Sequence, residues 1–255
     1  MSASPKLVIL AILMLLLQPA WAIERIEPWQ EAVRLNNEGL RLEAQGDLRE
    51  ARAQYEEATR QDPKLAIAFS NLGNLYYQEQ NYEKAAQFFK KAVRLKPDTA
   101  AFHINLANVF YAEKGYDKAI REYQIALKLD PENAVAESNL GDTYLQKGAL
   151  KLAGHHLSRA VQKNPGLSIA HYNRGMLFLA AGKRQEARES LERSLELNPL
   201  FADTHFQLAK IYEDEYNTVL AVRHFGAYLK IDRQGPNALK AARSIQRLSR
   251  QLPQS

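Results

Sequence analysis

Six side-chain amides stand at one register of this 255-residue chain: Asn37, Asn71, Asn105, Asn139, Asn173 and Gln207, each 34 residues after the last. Three residues beyond the second, third and fourth of them come Asn74, Asn108 and Asp142. A carboxamide offers both donors and an acceptor, so a row of them could hold the backbone of another chain without reading its side chains. That is the chemistry of recognition, and it makes and breaks no covalent bond. The sequence offers little for catalysis. It has no Gly-rich phosphate loop, no HExxH and no nucleophile elbow. Zero cysteines exclude disulfides, cysteine-ligated metals and thiol catalysis. His103, His171 and His205 share one position of the 34-residue frame, while His155, His156 and His224 are scattered. Metal binding needs convergent ligands and groups that orient them, so these histidines read as packing or surface residues. No catalytic residue, metal or cofactor is expected, and the chain reads as a non-enzyme.

The elements that position the amides follow from the same period. Pro63, Pro97, Pro131, Pro165 and Pro199 are 34 apart, as are Ala51, Ala85, Ala119, Ala153, Ala187 and Ala221. A fixed period of this length marks a repeat array whose unit is a helix–turn–helix pair. In the frame 66–99, Ala68, Phe69, Leu72, Gly73, Tyr76 and Tyr77 recur at helical spacing, and Ala85, Phe88, Phe89, Ala92 and Val93 do so again. Gln80–Asn81, with Gly46, Gly115, Gly148 and Gly182 near the same place in other frames, predicts a turn ending the first helix in left-handed backbone. Pro97 stops the second helix. Small residues (Gly39, Gly73, Ala107, Gly141, Gly175, Ala209) let the paired helices approach closely. Leu42, Tyr76, Phe110, Tyr144, Phe178 and Tyr212 from first helices, with Tyr55, Phe89, Tyr123, Leu157, Leu191 and Phe225 from second helices, fill the space between.

This order of small, aromatic, Ala, aromatic, Ala and Pro residues resembles the tetratricopeptide repeat family. The resemblance covers six units, 32–65, 66–99, 100–133, 134–167, 168–201 and 202–235, and implies an all-α solenoid of antiparallel helix pairs. It also implies that the first helices line a concave face. There the amides resemble the asparagine ladder of tetratricopeptide superhelices that hold extended polypeptides. With first helices about 10 Å apart and a strand rising about 3.3 Å per residue, one amide would meet every third residue of a guest. The alternative is that these amides satisfy groups of the repeats themselves. Between them stand Ile67, Val135, Ile169, Ser70, Ser138, Tyr172 and Phe206. The family's carboxylate clamp needs basic residues where this chain has Ser70, Ile104, Val135 and Ile169, so no clamp is expected. Arg174 and Glu38 replace apolar residues at their positions.

The ends differ from the middle. Residues 1–22 carry Lys6, the apolar run Leu7–Leu17 and Ala20–Trp21–Ala22, which reads as a secretory signal peptide cut after Ala22. The alternative is an N-terminal membrane anchor, although eleven uninterrupted apolar residues fall short of the roughly 20 needed to span a bilayer. Export of a cysteine-free helical array points to the periplasm. Residues 23–31 form a lead-in in which Trp29 covers the first repeat or sits loose. Residues 236–255 hold a capping helix, Asn237–Gln251, and a tail. Its expected apolar stripe is Leu239, Ala242, Ile245 and Leu248 or Leu252, with Lys240, Arg243, Arg247 and Arg250 on another side. This basic side could meet an acidic partner or anionic lipid. Nucleic acid is not expected, because no aromatics interleave the basic residues. The chain carries a formal net charge of +5, and much of the excess is local to this helix. The expected partner is a protein, held as an extended segment or as a component of an envelope complex. A role in assembling an envelope machine fits, and the six-repeat size resembles pilotin-type factors of type IV pilus biogenesis. Those carry a lipidated cysteine that this chain lacks.

Overall fold

The structure is a computed structural model that describes residues 27–250. The proposed signal peptide, residues 23–26 of the lead-in, and residues 251–255 with Leu252 lie outside the described residues. Among those described there are thirteen α-helices and no strands. In chain order they are α1 Pro28–Gln45, α2 Leu48–Gln61, α3 Ala66–Gln78, α4 Tyr82–Leu95, α5 Ala100–Ala112, α6 Tyr116–Leu129, α7 Ala134–Gln146, α8 Leu150–Lys163, α9 Ser168–Ala180, α10 Arg184–Leu197, α11 Ala202–Asp214, α12 Thr218–Ile231 and α13 Ala238–Ser249. The odd-numbered helices through α11 are first helices, and each of α1, α5, α7, α9 and α11 packs on the second helix that follows it. The fold is that of an all-α tetratricopeptide-type solenoid. Two compact units divide within α3, one ending at Leu75 and the other beginning at Tyr76.

The core explains the period. Ala51, Ala85, Ala119, Ala153, Ala187 and Ala221 are completely buried, and so, to within 1%, are Tyr55, Phe89, Tyr123, Leu157, Leu191 and Phe225. Gly39, Gly141 and Gly175 on first helices each face the large residue sixteen positions on. A Cβ added to Gly141 would stand 2.7 Å from Leu157 Cγ, and one added to Gly175 2.7 Å from Leu191 Cγ. Contacts that short do not occur between real carbon atoms, so the glycines set how closely the paired helices lie.

Every first helix ends in the same turn. The residues at 46, 80, 114, 148, 182 and 216 all have positive φ, between 59° and 88°. The amide that follows each of them donates to a carbonyl five residues back: Asn81 N to Tyr76 O at 2.9 Å, Ala149 N to Tyr144 O at 2.9 Å, Asn217 N to Tyr212 O at 2.8 Å. This geometry satisfies the last free carbonyls of the helix. It also corrects one expectation. The left-handed residue of the third turn is Lys114, not Gly115, whose φ is −78°. Hydrogen bonding of the turn outweighs residue preference, so Gln80, Lys114 and Tyr216 take a conformation that side chains disfavour.

The ends also depart from expectation. The helix of the first repeat begins at Pro28, inside the expected lead-in, and Trp29 on its first turn is 56% exposed. At the other end α13 buries Ala241 and Leu248 and half-buries Ala238 and Ile245, while Leu239 and Ala242 face outward. The first half of the buried stripe is therefore Ala238 and Ala241 in place of the expected Leu239 and Ala242, while Ile245 and Leu248 hold their expected places. Tyr228, which stands where other second helices carry a small residue, is fully buried in the cluster that includes Ala241 and Leu248. The large residue on α12 faces a small one on α13. Its hydroxyl accepts from Asn237 N at 3.1 Å at the start of α13.

Candidate functional site

The row of amides does not present a uniform set of side chains. In the first unit Asn71 is 7% exposed and its Nδ2 donates to Asn36 Oδ1 at 2.8 Å, while Asn37 is exposed and Asn74 half-buried. In the second unit Asn173 is 5% exposed and donates to Ser138 Oγ at 3.1 Å. Asn71 and Asn173 thus spend a donor on the preceding repeat. Asn105, Asn108, Asn139 and Gln207 are half-buried. Of the residues between the amides, Ile67 and Val135 are exposed, Ile169 and Tyr172 half-buried, and Ser70, Ser138 and Phe206 buried.

The most developed polar feature lies in the second unit, between α5 and α7. Tyr77, Asn108, Tyr111, Tyr123, Asn139 and Asp142 line a recess of about 260 Å³. Tyr111 Oη donates to Asp142 Oδ2 at 2.6 Å, and Gln146 Nε2 donates to Asp142 Oδ1 at 3.2 Å. Asn108 Oδ1 accepts from Tyr123 Oη at 2.5 Å and from Asn139 Nδ2 at 3.2 Å. Burial first, and then the Asp142 carboxylate, pushes the Tyr111 hydroxyl far above the ordinary tyrosine range, so it remains a donor at any physiological pH. Tyr123 is raised in the same direction, mainly by burial. Asp142 forms no ion pair among the described residues. Sequence reasoning placed Asn108 and Asn139 here but missed the tyrosines. Tyr123 was read as core filling, which it is, and its hydroxyl extends past the core to Asn108.

The histidines pack within the repeats. His103, His171 and His205 each bring Nε2 to the carbonyl of Pro97, Pro165 or Pro199 at 2.9–3.0 Å, tying the incoming loop to its first helix. On the second helices His156 Nδ1 meets Glu137 Oε2 at 2.8 Å, and the buried Glu137 also faces Arg159 and Lys163. No group of three metal-ligating side chains converges among the described residues. Arg174 Nε donates to Ser190 Oγ at 3.3 Å, which accounts for a cation that the sequence left unexplained. Glu38 pairs with Arg41 at 2.6 Å. The acidic run Glu213–Asp214–Glu215 meets three arginines, Arg247, Arg184 and Arg188 respectively. Arg247 is therefore tied to α11, whereas Lys240, Arg243 and Arg250 are exposed.

Family models described as tetratricopeptide repeat match residues 36–100 and 168–201, and one described as TPR repeat matches 107–148. The chain belongs to the tetratricopeptide repeat family. No curated protein sequence matches this tetratricopeptide repeat protein significantly. Among solved structures it resembles a chain of the APC/C hetero-tetramer Cut9-Hcn1 at 18% identity and TM-score 0.75, covering 96% of this chain but only 46% of that one. PilW, described as a widely conserved type IV pilus biogenesis factor, matches at 21% identity and TM-score 0.73, over 84% of this chain and 99% of that one. The pilF protein of Pseudomonas aeruginosa matches at 26% identity and TM-score 0.61, over 73% and 90%. The first two likenesses speak to the fold alone. Among the described residues no helix is long and apolar enough to cross a membrane. Repeats of this family are generally interaction scaffolds, and this chain is read as one.

Proposed function

We propose that this protein is a non-catalytic scaffold of the cell envelope that holds an extended segment of another protein along its first helices. The observation that carries this reading is the recess between α5 and α7. Two amides, a carboxylate and three tyrosines meet there, and only some of their hydrogen-bonding capacity is used within the protein. The half-buried Asn105 and Gln207 and the exposed Val135 lie on first helices of the second unit. Asn71 and Asn173 serve by holding repeats in register. A surface already ordered by packed helices leaves mainly the guest to lose conformational freedom. The signal-like residues 1–22 support export, and the likeness to pilF supports a part in assembling an envelope machine such as a type IV pilus.

The test is affinity capture from the native envelope fraction with the chain beginning at Ile23, against a folded variant carrying Asn105→Ala, Asn139→Ala and Gln207→Ala. Loss of one defined partner from the variant is the expected result. Identical partners on both proteins would refute the groove. Export is checked separately by fusing residues 1–22 to alkaline phosphatase that lacks its own signal, which should become active outside the cytoplasm.

A second reading is favoured by one observation. Leu239 is 64% exposed at the edge of a recess of about 630 Å³ that Lys230 and Arg233 also line. With Lys240, Arg243 and Arg250 nearby in sequence, this end could serve as an adaptor surface for an acidic partner or anionic lipid. It would act through its basic cap with the groove empty, and binding would then survive loss of the three amides.

A further inference from the structure

The recess holding Asp142 has a carboxylate that no cation among the described residues pairs with. Its lining contains one carboxylate and no cation. Lys147, five residues on, pairs with Asp117 at 2.5 Å. Each Asp142 oxygen accepts one hydrogen bond, from Tyr111 or from Gln146. A carboxylate has about four lone-pair sites, so roughly half of its accepting capacity is left. Around it stand Tyr77 and Tyr111, whose rings can attract an organic cation, and the hydroxyl of the buried Tyr123. Burial, then Asp203 and Asp142, push the Tyr172 hydroxyl up to about 12.

These features exclude some occupants. One carboxylate with amide and phenol oxygens is a poor site for calcium, which takes 6–8 oxygens and generally several carboxylates. An anion would meet Asp142 directly. An aliphatic side chain would strand the unused acceptors.

We infer that the recess between α5 and α7 receives the ammonium or guanidinium end of one lysine or arginine side chain from the extended segment that the first helices hold. This inference rests on the groove reading and gives it a sequence preference: amides take the guest backbone, and Asp142 with its tyrosines selects one basic residue.

Two experiments test it. In the first, N-acetyl-lysine N-methylamide, its arginine analogue and its norleucine analogue are titrated into the purified chain. Binding is followed by NMR on the rings of Tyr77, Tyr111 and Tyr123. The two cationic probes should shift these rings saturably and the norleucine probe should not. Asp142→Asn, which keeps an acceptor for Tyr111, should weaken the cationic probes roughly 10- to 100-fold. Should that variant unfold, Tyr77→Leu, which leaves both Asp142 bonds in place, should weaken them too. Equal shifts by norleucine, undiminished binding to Asp142→Asn, or no shift by any probe at its solubility limit would each overturn the inference. The second experiment selects a phage-displayed library of random twelve-residue peptides on the wild-type chain. Selected peptides should share a lysine or arginine at one position and lose it in selections on Asp142→Asn. Peptides that depend on Asn105, Asn139 and Gln207 but show no basic preference would sink the recess and keep the groove. Cationic probes that bind while no peptide is selected would keep the recess and sink the groove.

Discussion

Gly141 and Leu157 show how much a single methyl decides in this protein. The buried Leu157 side chain occupies the place where an alanine Cβ at 141 would go. Gly141→Ala should therefore cost about 1–3 kcal/mol through overpacking, read as a lower urea midpoint at unchanged slope. Ala107 and Ala209 hold the same register and carry that methyl opposite Tyr123 and Phe225, whereas a methyl on Gly39 would stand 2.5 Å from the Tyr55 ring, so the cost follows the local approach of the two helices and not the chemical type of the partner. His224 gives a second residue-scale prediction. Its Nδ1 lies 3.0 Å from His205 Nδ1, and His205 Nε2 donates to the Pro199 carbonyl. A neutral His205 bonded in that way has a bare Nδ1, so His224 must supply the proton between them. The Tyr212 ring stacks on His224 from α11, and Arg223 adds like charge from its own helix. Burial, then His205 and Arg223, lower the His224 pKa from 6.5 to about 4. The unfolded chain therefore binds the proton first. Stability is complete above about pH 6.5 and falls as pH drops from there through about 4. Because the ring is partly open to water, the loss should be about 1–2 kcal/mol. Urea unfolding at several pH values should show this slope, and His224→Gln should flatten it.

At the scale of elements, α13 depends on Tyr228 in two separable ways. Tyr228→Phe removes only the hydroxyl that accepts from Asn237 and should cost about 0.5–1.5 kcal/mol. Tyr228→Ala also empties a fully buried ring site and should cost about 3–5 kcal/mol. Thermal unfolding of the two variants separates cap from core. The elements also show what could be read from the sequence. The helix pairs were legible because Ala51 to Ala221 and Pro63 to Pro199 repeat without interruption, and a repeated packing rule leaves a repeated residue. The first half of the α13 stripe was displaced by one position because two candidate lines ran side by side, and large Leu239 outweighed small Ala241 on hydrophobicity. Burial there is decided by the fit of Ala241 to Tyr228, which no one-helix pattern contains. The tyrosine recess was hidden for a related reason. Tyr77, Tyr111 and Tyr123 come from three helices, and the reach of the Tyr123 hydroxyl past the core is a three-dimensional fact.

At the scale of the whole molecule, the two units carry cores of different size. The first, ending at Leu75, buries Tyr55, Leu72 and Leu75 with Leu35 and a set of alanines. The second joins clusters as large as the one running from Tyr76 to Leu140. In a repeat array each module is stabilised by itself and its neighbours, so opening free energies follow local core size. Native-state hydrogen exchange should find amides of α1 and α2 opening at lower free energy than those of α6, α8 and α10. Uniform protection across all thirteen helices would contradict it.

Tyr228, buried in one cluster with Ala241, also sets the last second helix apart from the others. Second helices that are followed by another repeat carry Ala58, Ala92, Ala126, Ala160 or Ser194 at this register, and each leaves room for the next first helix. A tyrosine there fills that room and accepts only a slender helix with alanine at the contact. The stop signal of the solenoid is thus a single side chain of the wrong size for continuation. Duplication of a module behind residue 235 would have to be accompanied by loss of that ring, which makes residue 228 the place where growth of this scaffold by internal duplication is blocked.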